Sequence, residues 1–146
     1  GADRVVDLFS GAGTLGLPLA DRATLHCFEN DAGLLEALAH GVRHTQGIKS
    51  VTTSTRDLFR NPVDHTDLKP FNAAIIDPPR AGAEQQVGQL AQSDLRDIAM
   101  VSCNPVSFAR DAALLSNGGY LLKWIEVVDQ FRWSPHIEIV AHFSKV

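Results

Sequence analysis

Arg4-Val5-Val6-Asp7-Leu8-Phe9-Ser10-Gly11-Ala12-Gly13-Thr14-Leu15-Gly16 is the stretch that decides how the rest of the chain is read. A short apolar run closes on a glycine-rich loop, and a helix is predicted to follow through about Ala20. Gly11 to Gly16 matches G-x-G-x-x-G between a strand and a helix. Working outward, Thr24 to Phe28 reads as a second strand that stops at Glu29-Asn30-Asp31. Ala32 to about Gln46 carries Leu34, Leu35, Leu38, Ala39 and Val42 at helical spacing, and Gly47 stops it. Val51 to Thr55 is a β-branched strand. Phe71 to Ile76 is an apolar strand ending at Asp77-Pro78-Pro79. A helix over Gln85 to Ala91, a strand over Ile98 to Ser102 and a helix over Ser107 to Ser116 follow. Tyr120 to Val128 and Ile137 to Phe143 are two strands in succession.

Strands that alternate with helices and end in a strand pair predict an α/β fold. The sheet is mostly parallel, with helices on both faces and a terminal antiparallel strand. Ligands of such sheets bind beyond the carboxyl ends of the strands. The residues expected there are Ser10 to Thr14, Glu29, Asp57, Asp77 to Arg80 and Cys103 to Pro105.

The 146 residues fit one domain, with 45% hydrophobic and 21% charged residues. No apolar run is long enough to span a membrane, and no secretory signal pattern is visible. Cys27 and Cys103, the two cysteines, make no disulfide framework, which points to a reducing, cytoplasmic setting. The net charge of −4 does not suit a domain that grips RNA by itself, because phosphate neutralisation dominates such binding. The chain starts almost directly on a strand. A catalytic piece of a longer protein is therefore expected over residues 1–146, monomeric as a fragment, with no metal.

The glycines let a backbone approach a ligand, and Glu29 can accept from both hydroxyls of a ribose. That pattern suits a dinucleotide or S-adenosylmethionine about equally. Asp7 tilts it: a carboxylate beside the loop repels a pyrophosphate and attracts a sulfonium and an ammonium. Asp57 follows the third strand, where an acid can accept from an adenine amino group, although a helix cap or a solvated acid is the plainer reading. Asp77-Pro78-Pro79-Arg80 makes a rigid turn whose carbonyls stay free to accept. Amino methyltransferases place an aromatic after a similar Asp/Asn-Pro-Pro, and here Arg80 stands in its place. Ser102-Cys103-Asn104-Pro105 puts a cysteine at the mouth of the sheet, just before a helix whose N-terminal dipole favours a negative charge. A nucleophile fits that position, whereas Cys27, inside a strand, reads as a small buried hydrophobe.

One reaction needs such a thiolate. Carbon 5 of uracil is too electron-poor to attack a methyl sulfonium. Addition of a thiolate at carbon 6 makes an enolate, and a base must later remove the carbon 5 proton. Glu138 is the candidate base, although a lone glutamate at a strand start is more simply a solvated charge.

At this point the chain resembles the RNA uracil-5 methyltransferases of bacteria, which act on transfer RNA and large-subunit ribosomal RNA. The likeness runs through Asp7-Leu8-Phe9-Ser10-Gly11-Ala12-Gly13, Asp77-Pro78-Pro79-Arg80-Ala81-Gly82 and Ser102-Cys103-Asn104-Pro105. It continues in Ala109-Arg110-Asp111, Gly119-Tyr120, Asp129-Gln130-Phe131 and His136-Ile137-Glu138. The resemblance implies a Rossmann-like class I methyltransferase fold with a seven-stranded sheet, S-adenosylmethionine as cofactor, and RNA as partner of the full-length protein. It implies Cys103 as nucleophile and Glu138 as base. Cofactor contacts are expected at Phe9, Gly11, Gly13, Thr14, Glu29, Asp57 and Asp77. Substrate contacts are expected at Pro78, Arg80, Asn104, Phe131 and His136. The family has Phe-Pro-x-Thr where this chain has Phe131-Arg132-Trp133-Ser134, which changes the loop expected to face the base. Its N-terminal RNA-binding barrel and upstream glutamine are not in these residues.

Three rival readings stand beside this one: another methyltransferase class, an oxidoreductase, and a catalytically idle binding module in a larger protein. An exocyclic-amine methyltransferase needs no nucleophile, so it would work without Cys103. A cytosine-5 methyltransferase shares the thiolate but expects other surroundings for it. An NAD-dependent oxidoreductase accounts for the glycine loop and leaves Ser102-Cys103-Asn104-Pro105 unexplained.

Overall fold

The computed structural model describes residues 1–129 and 132–146. The expected substrate contact at Phe131 lies outside the described residues. Seven strands form one sheet: β1 (Arg4–Leu8), β2 (Thr24–Glu29), β3 (Val51–Thr55), β4 (Ala73–Ile76), β5 (Asp97–Ser102), β6 (Leu121–Val128) and β7 (Glu138–Ser144). Their order is β3-β2-β1-β4-β5-β7-β6. All pairs are parallel except those of β7, which runs antiparallel to both β5 and β6. The chain goes outward from β1 to β3, then crosses back to β4, so the strand order reverses between β1 and β4. That is where an open α/β sheet leaves a crevice.

The pleat sorts the core into two layers, because neighbouring residues of a strand face opposite sides. Val6, Leu8, Ala74 and Ile76 pack with Val87 and Leu90 of α2 (Glu84–Gln92) and with Phe108 and Leu115 of α3 (Pro105–Asn117). Val5, Ala73 and Ile75 face the other way and pack with Leu38 of α1 (Ala32–Arg43). Helices therefore lie on both faces, as predicted. Asp31 caps α1 by accepting from the Gly33 and Leu34 amides at 2.8 and 3.1 Å.

One feature differs from the sequence reading, and one adds to it. The helix expected through Ala20 is a run of turns ending in one 3₁₀ turn, Leu17–Leu19. Gly13 and Gly16 weaken helix there, and Pro18 removes a donor. β6 is exposed at every position. Its apolar side chains are open on both faces, Val127 at 57% and Leu121 at 54%, and among the described residues no further strand pairs with its outer edge.

Candidate active site

The loop after β1 turns back at once. Phe9 and Gly11 both adopt left-handed backbone, with φ of 62° and 55°. For a bulky side chain this is strained, and it accompanies a ring that lines the cleft, 5.2 Å from the Phe59 ring. The Ser10 amide donates to the Phe28 carbonyl at 3.0 Å, which ties the loop to the end of β2. Glu29 completes the closure. One carboxylate oxygen accepts from the Gly11 amide at 2.9 Å, and the other from the Asn30 and Asp31 amides at 2.9 and 3.1 Å. The carboxylate is held by backbone, with lone pairs left for a ligand.

Asp57 is fixed in a similar way. Its Oδ1 accepts from the Phe59 and Arg60 amides at 3.0 and 3.3 Å. The turn is the plain reading of that acid, and it also aims Asp57 and Phe59 at one cavity. The cavity encloses about 460 Å³, and Phe9, Glu29, Asp57, Phe59, Asp77 and Pro78 line it. Arg56 lines it too, but its guanidinium is engaged by the Asn61 and Pro62 carbonyls at 2.7 and 2.8 Å.

Behind this cavity sits Asp7, 1% exposed. Its Oδ2 is buried with no hydrogen-bond partner among the described residues. Burial pushes its pKa up to about 7, helped by the Asp77 and Glu29 charges, and the nearby Gly16 amide offsets part of this without reaching good hydrogen-bond geometry. A side chain at Gly16 would run into Asp7 Oδ2, so only glycine fits there. Asp77 is raised as well, by burial first and then by the Glu138 charge. Its surface opens on the cleft, but protein surrounds it closely enough to restrict its hydration.

Three carboxylates around a walled, aromatic-lined cavity, with an orphaned fourth behind them, suit a ligand that carries positive charge, an adenine and a ribose diol. They do not suit a pyrophosphate, since no free cation lies among the described residues lining the cavity. The glycine loop thus reads as the seat of S-adenosylmethionine rather than of a dinucleotide.

Across the switch point, β5 and β7 bring the other two candidates together. Their antiparallel register runs from Asp97↔Ser144 to Ser102↔Ile139. Continued one rung past its last pair, that register places Cys103, which directly follows β5, level with Glu138, the first residue of β7. Residues 35 positions apart in sequence become neighbours at the carboxyl end of β5. Cys103 is a free, half-buried thiol, one residue before Asn104, the N-cap of α3, whose Oδ1 accepts from the Val106 amide at 3.0 Å. Glu138 faces Asp77 closely enough to shift it, so the carboxylate joins the cysteine to the wall of the cofactor cavity.

Comparison with known proteins settles the family. The model of the tRNA (uracil-5-)-methyltransferase family matches residues 44–146. The chain belongs to that family. An uncharacterized RNA methyltransferase of Brucella suis is 50% identical over 144 residues, 99% of this chain and 35% of that protein. The 23S rRNA (uracil(1939)-C(5))-methyltransferase RlmD of Acinetobacter baylyi is 33% identical over 99% of this chain and 32% of its own length. The crystal structure of the Pyrococcus abyssi tRNA (uracil-54, C5)-methyltransferase, in complex with S-adenosyl-L-homocysteine, superposes with a TM-score of 0.82. It is 30% identical and covers 98% of this chain and 34% of that one. The chain therefore spans about a third of the length of these relatives, and its fold is the class I methyltransferase fold.

Against the expected site residues of this family, the structure divides them. Phe9, Glu29, Asp57, Asp77 and Pro78 line one cavity. Gly11 contributes through its amide on Glu29, and Gly13 through a left-handed turn. Thr14 is exposed and outside the lining. Asn104 caps α3 and also donates to the Arg80 carbonyl at 3.1 Å. His136 is exposed, and its amide donates to Ser134 Oγ at 3.2 Å. Phe59 was not foreseen; its position two residues after Asp57 in a turn was the available signal. Nor was the register that pairs Cys103 with Glu138, which no local pattern encodes.

Proposed function

We propose that residues 1–146 are the catalytic domain of a longer enzyme that methylates carbon 5 of a uridine in transfer or ribosomal RNA. Methylation at that carbon is what the names of the Pyrococcus and Acinetobacter relatives state of those proteins. The observation that carries the reading is that Cys103, just past β5, and Glu138, the first residue of the neighbouring β7, stand at the same end of the sheet, with Glu138 near enough to Asp77 of the carboxylate-lined cavity to shift it.

S-adenosylmethionine, held by Glu29 at the ribose, Asp57 at the adenine and Asp77 near the charged end, supplies an electrophilic methyl group when bound. The protein's own residues make the uracil reactive. The Cys103 thiolate adds to carbon 6, and the carbon 5–carbon 6 π electrons move to carbon 5 and the carbonyl oxygen as an enolate. Carbon 5, now nucleophilic, takes the methyl group. Glu138 then removes the carbon 5 proton, the enolate re-forms, and its collapse expels the Cys103 thiolate. Pro78, Arg80, Asn104, Phe131 and His136 are proposed on the substrate side. The negative net charge leaves most RNA affinity to polypeptide outside these residues. Cytoplasm is the proposed compartment, where the RNA is found and a free Cys103 stays reduced. No helix among the described residues is long and apolar enough to cross a membrane.

The test is RNA in which 5-fluorouracil replaces uracil. Fluorine cannot leave as a cation, so the intact enzyme with S-adenosylmethionine should form an adduct that survives a denaturing gel. Mass spectrometry should place it on Cys103. Methylated product without any adduct would favour an exocyclic-amine mechanism, and an adduct with 5-fluorocytosine RNA alone would favour cytosine.

A further inference from the structure

The Ala109-Arg110-Asp111 stretch lies outside the cavity and has no part in the chemistry above. Its side chains nevertheless reach the loop that follows Asp77-Pro78-Pro79. Asp111 is 1% exposed. Its Oδ2 accepts from the Ala83 amide at 2.8 Å. Its Oδ1 accepts from Arg110 Nε at 2.9 Å and Nη2 at 2.8 Å. The same Arg110 Nη2 donates to the Ala81 carbonyl at 3.1 Å. One turn earlier, Ser107 Oγ donates to the Arg80 carbonyl at 2.9 Å, and Asn104 Nδ2 donates to that same oxygen at 3.1 Å.

Positions 104, 107 and 111 lie along one face of α3 and its N-cap; that face grips the backbone at residues 80 and 83, and Arg110 adds residue 81. Gly82 lets it close. It sits at φ +76°, and a Cβ there would come within 2.6 Å of Arg110 Nη2 and 2.7 Å of Asp111 Oδ2. Arg80 itself is exposed, and among the described residues its guanidinium has no ion-pair partner. Arg22, Arg43 and Arg132 are likewise without an ion-pair partner among the described residues, but of this group only Arg80 directly follows the cavity wall at Pro78 and Pro79. The clamp fastens the backbone of a free guanidinium to the helix that begins two residues after Cys103.

We propose that Asp111, with Arg110, Ser107 and Asn104, is a positioning residue that holds Arg80 at a fixed offset from Cys103, so that Arg80 receives an RNA phosphate beside the target base. This rests on the function proposed above. Arg is suited to the task because its planar donors match phosphate oxygens.

The experiment uses the intact enzyme, the 5-fluorouracil RNA and the variants Asp111→Asn, Arg80→Ala and their double. Absence of adduct with the wild type would overturn the proposed function and not the clamp as such. With a wild-type adduct in hand, Asp111→Asn should slow adduct formation about tenfold or more, the cost of weakening a charge-assisted hydrogen bond. Affinity for S-adenosylhomocysteine should stay within about twofold, since the variant leaves the cavity lining intact. In the Arg80→Ala background, Asp111→Asn should add no further loss. Arg80→Ala should also flatten the salt dependence of RNA binding by about one phosphate contact, and Asp111→Asn should reduce it in the same direction. Equal losses in both backgrounds would mean that Asp111 acts only on general stability and would overturn the proposal. So would an unchanged salt slope. If Asp111→Asn fails to fold, Ser107→Ala, which removes one donor to the Arg80 carbonyl, decides on the same readouts with a smaller loss.

Discussion

At the β1–β2–β3 end of the sheet, two of the functional acids are already tied to nearby backbone. Glu29 holds three amides and Asp57 two. At the β5–β7 end, Cys103 and Glu138 are brought together by strand register alone, beside a loop with exposed Arg132, Trp133 and His136 and a β6 exposed along its whole length. The first end is made of local loops that close on themselves, so a ligand meets a site whose ordering cost is already met. The second end depends on bringing together segments 35 residues apart and, among the described residues, presents no comparable wall. Cofactor recognition is thus built in, while on the proposed function recognition of the base falls to the RNA and to polypeptide outside these residues.

The sharpest way to break this contrast is at the β5–β7 rung. Cys103→Ala in the intact enzyme should abolish both adduct and product, a loss of several orders of magnitude, as removal of a nucleophile causes. Glu138→Gln should do something different: addition and methyl transfer proceed, the carbon 5 proton stays, and a methylated protein–RNA adduct accumulates. Denaturing electrophoresis with labelled RNA and mass spectrometry of the trapped species read both. Substantial activity in Cys103→Ala, or no adduct from Glu138→Gln while RNA and cofactor still bind, would separate the two residues and leave the rung without a role. In the second case His136 is the nearest alternative base.

A change at the other end should be milder and confined to the cofactor. Glu29→Ala removes the ribose acceptor and frees the Gly11 amide. Binding of S-adenosylhomocysteine should weaken by about 1.5–3 kcal/mol, the range for a hydrogen bond to a charged group. Glu29→Gln, which keeps one acceptor oxygen, should lose less. Titration calorimetry measures this directly. Tight NAD binding by the wild type without S-adenosylhomocysteine binding would reverse the cofactor assignment.

The same contrast explains how much could be read from sequence. Each strand is a short apolar run closed by turn residues, so the order of elements and the mostly parallel sheet were legible. So were Glu29, Asp57 and Asp77, because each ends or closely follows a strand and the fold puts those ends together; Phe9 was expected only from the family resemblance. The helix after Gly13 was misjudged because Gly16 and Pro18 were outweighed by the leucines around them. The exposure of β6 was hidden for a related reason: an apolar run looks alike whether or not anything covers it. The Cys103–Glu138 rung and the Asp111 clamp were out of reach, since each depends on tertiary register between segments with no shared local pattern.

The smallest expected effect concerns Asp7, which sharpens the comparison by asking what the cofactor end costs when empty. Asp7 pairs in register with Ile75 and with Cys27. Burial first, then the Asp7 charge, pushes the Cys27 thiol up to about 12, so Cys27 stays neutral and gives Asp7 no positive partner. Burial, with the Asp77 charge and to a lesser extent that of Glu29, raises Asp7 itself from the ordinary carboxylate range to about 7, against the pull of the Gly16 amide. A carboxyl raised on folding keeps its proton in the native state where the unfolded chain has lost it. Stability therefore falls as pH climbs from about 4 to about 7, and is flat above. Asp7→Asn removes that loss, so its advantage over wild type in thermal melts of the cofactor-free protein should be small near pH 4 and full above pH 7. A cationic ligand favours the ionised form. The wild-type affinity for S-adenosylmethionine should accordingly rise with pH up to about 7 and then level, by at most about tenfold per unit for one proton released. Asp77, also raised, contributes in the same direction, so Asp7→Asn should flatten this slope without removing it. Calorimetry at several pH values in buffers of different ionisation enthalpy counts the proton released. A wild-type affinity that does not change from pH 5.5 to 8.5, with no proton released, would mean that the buried carboxylate takes no part in holding the cation.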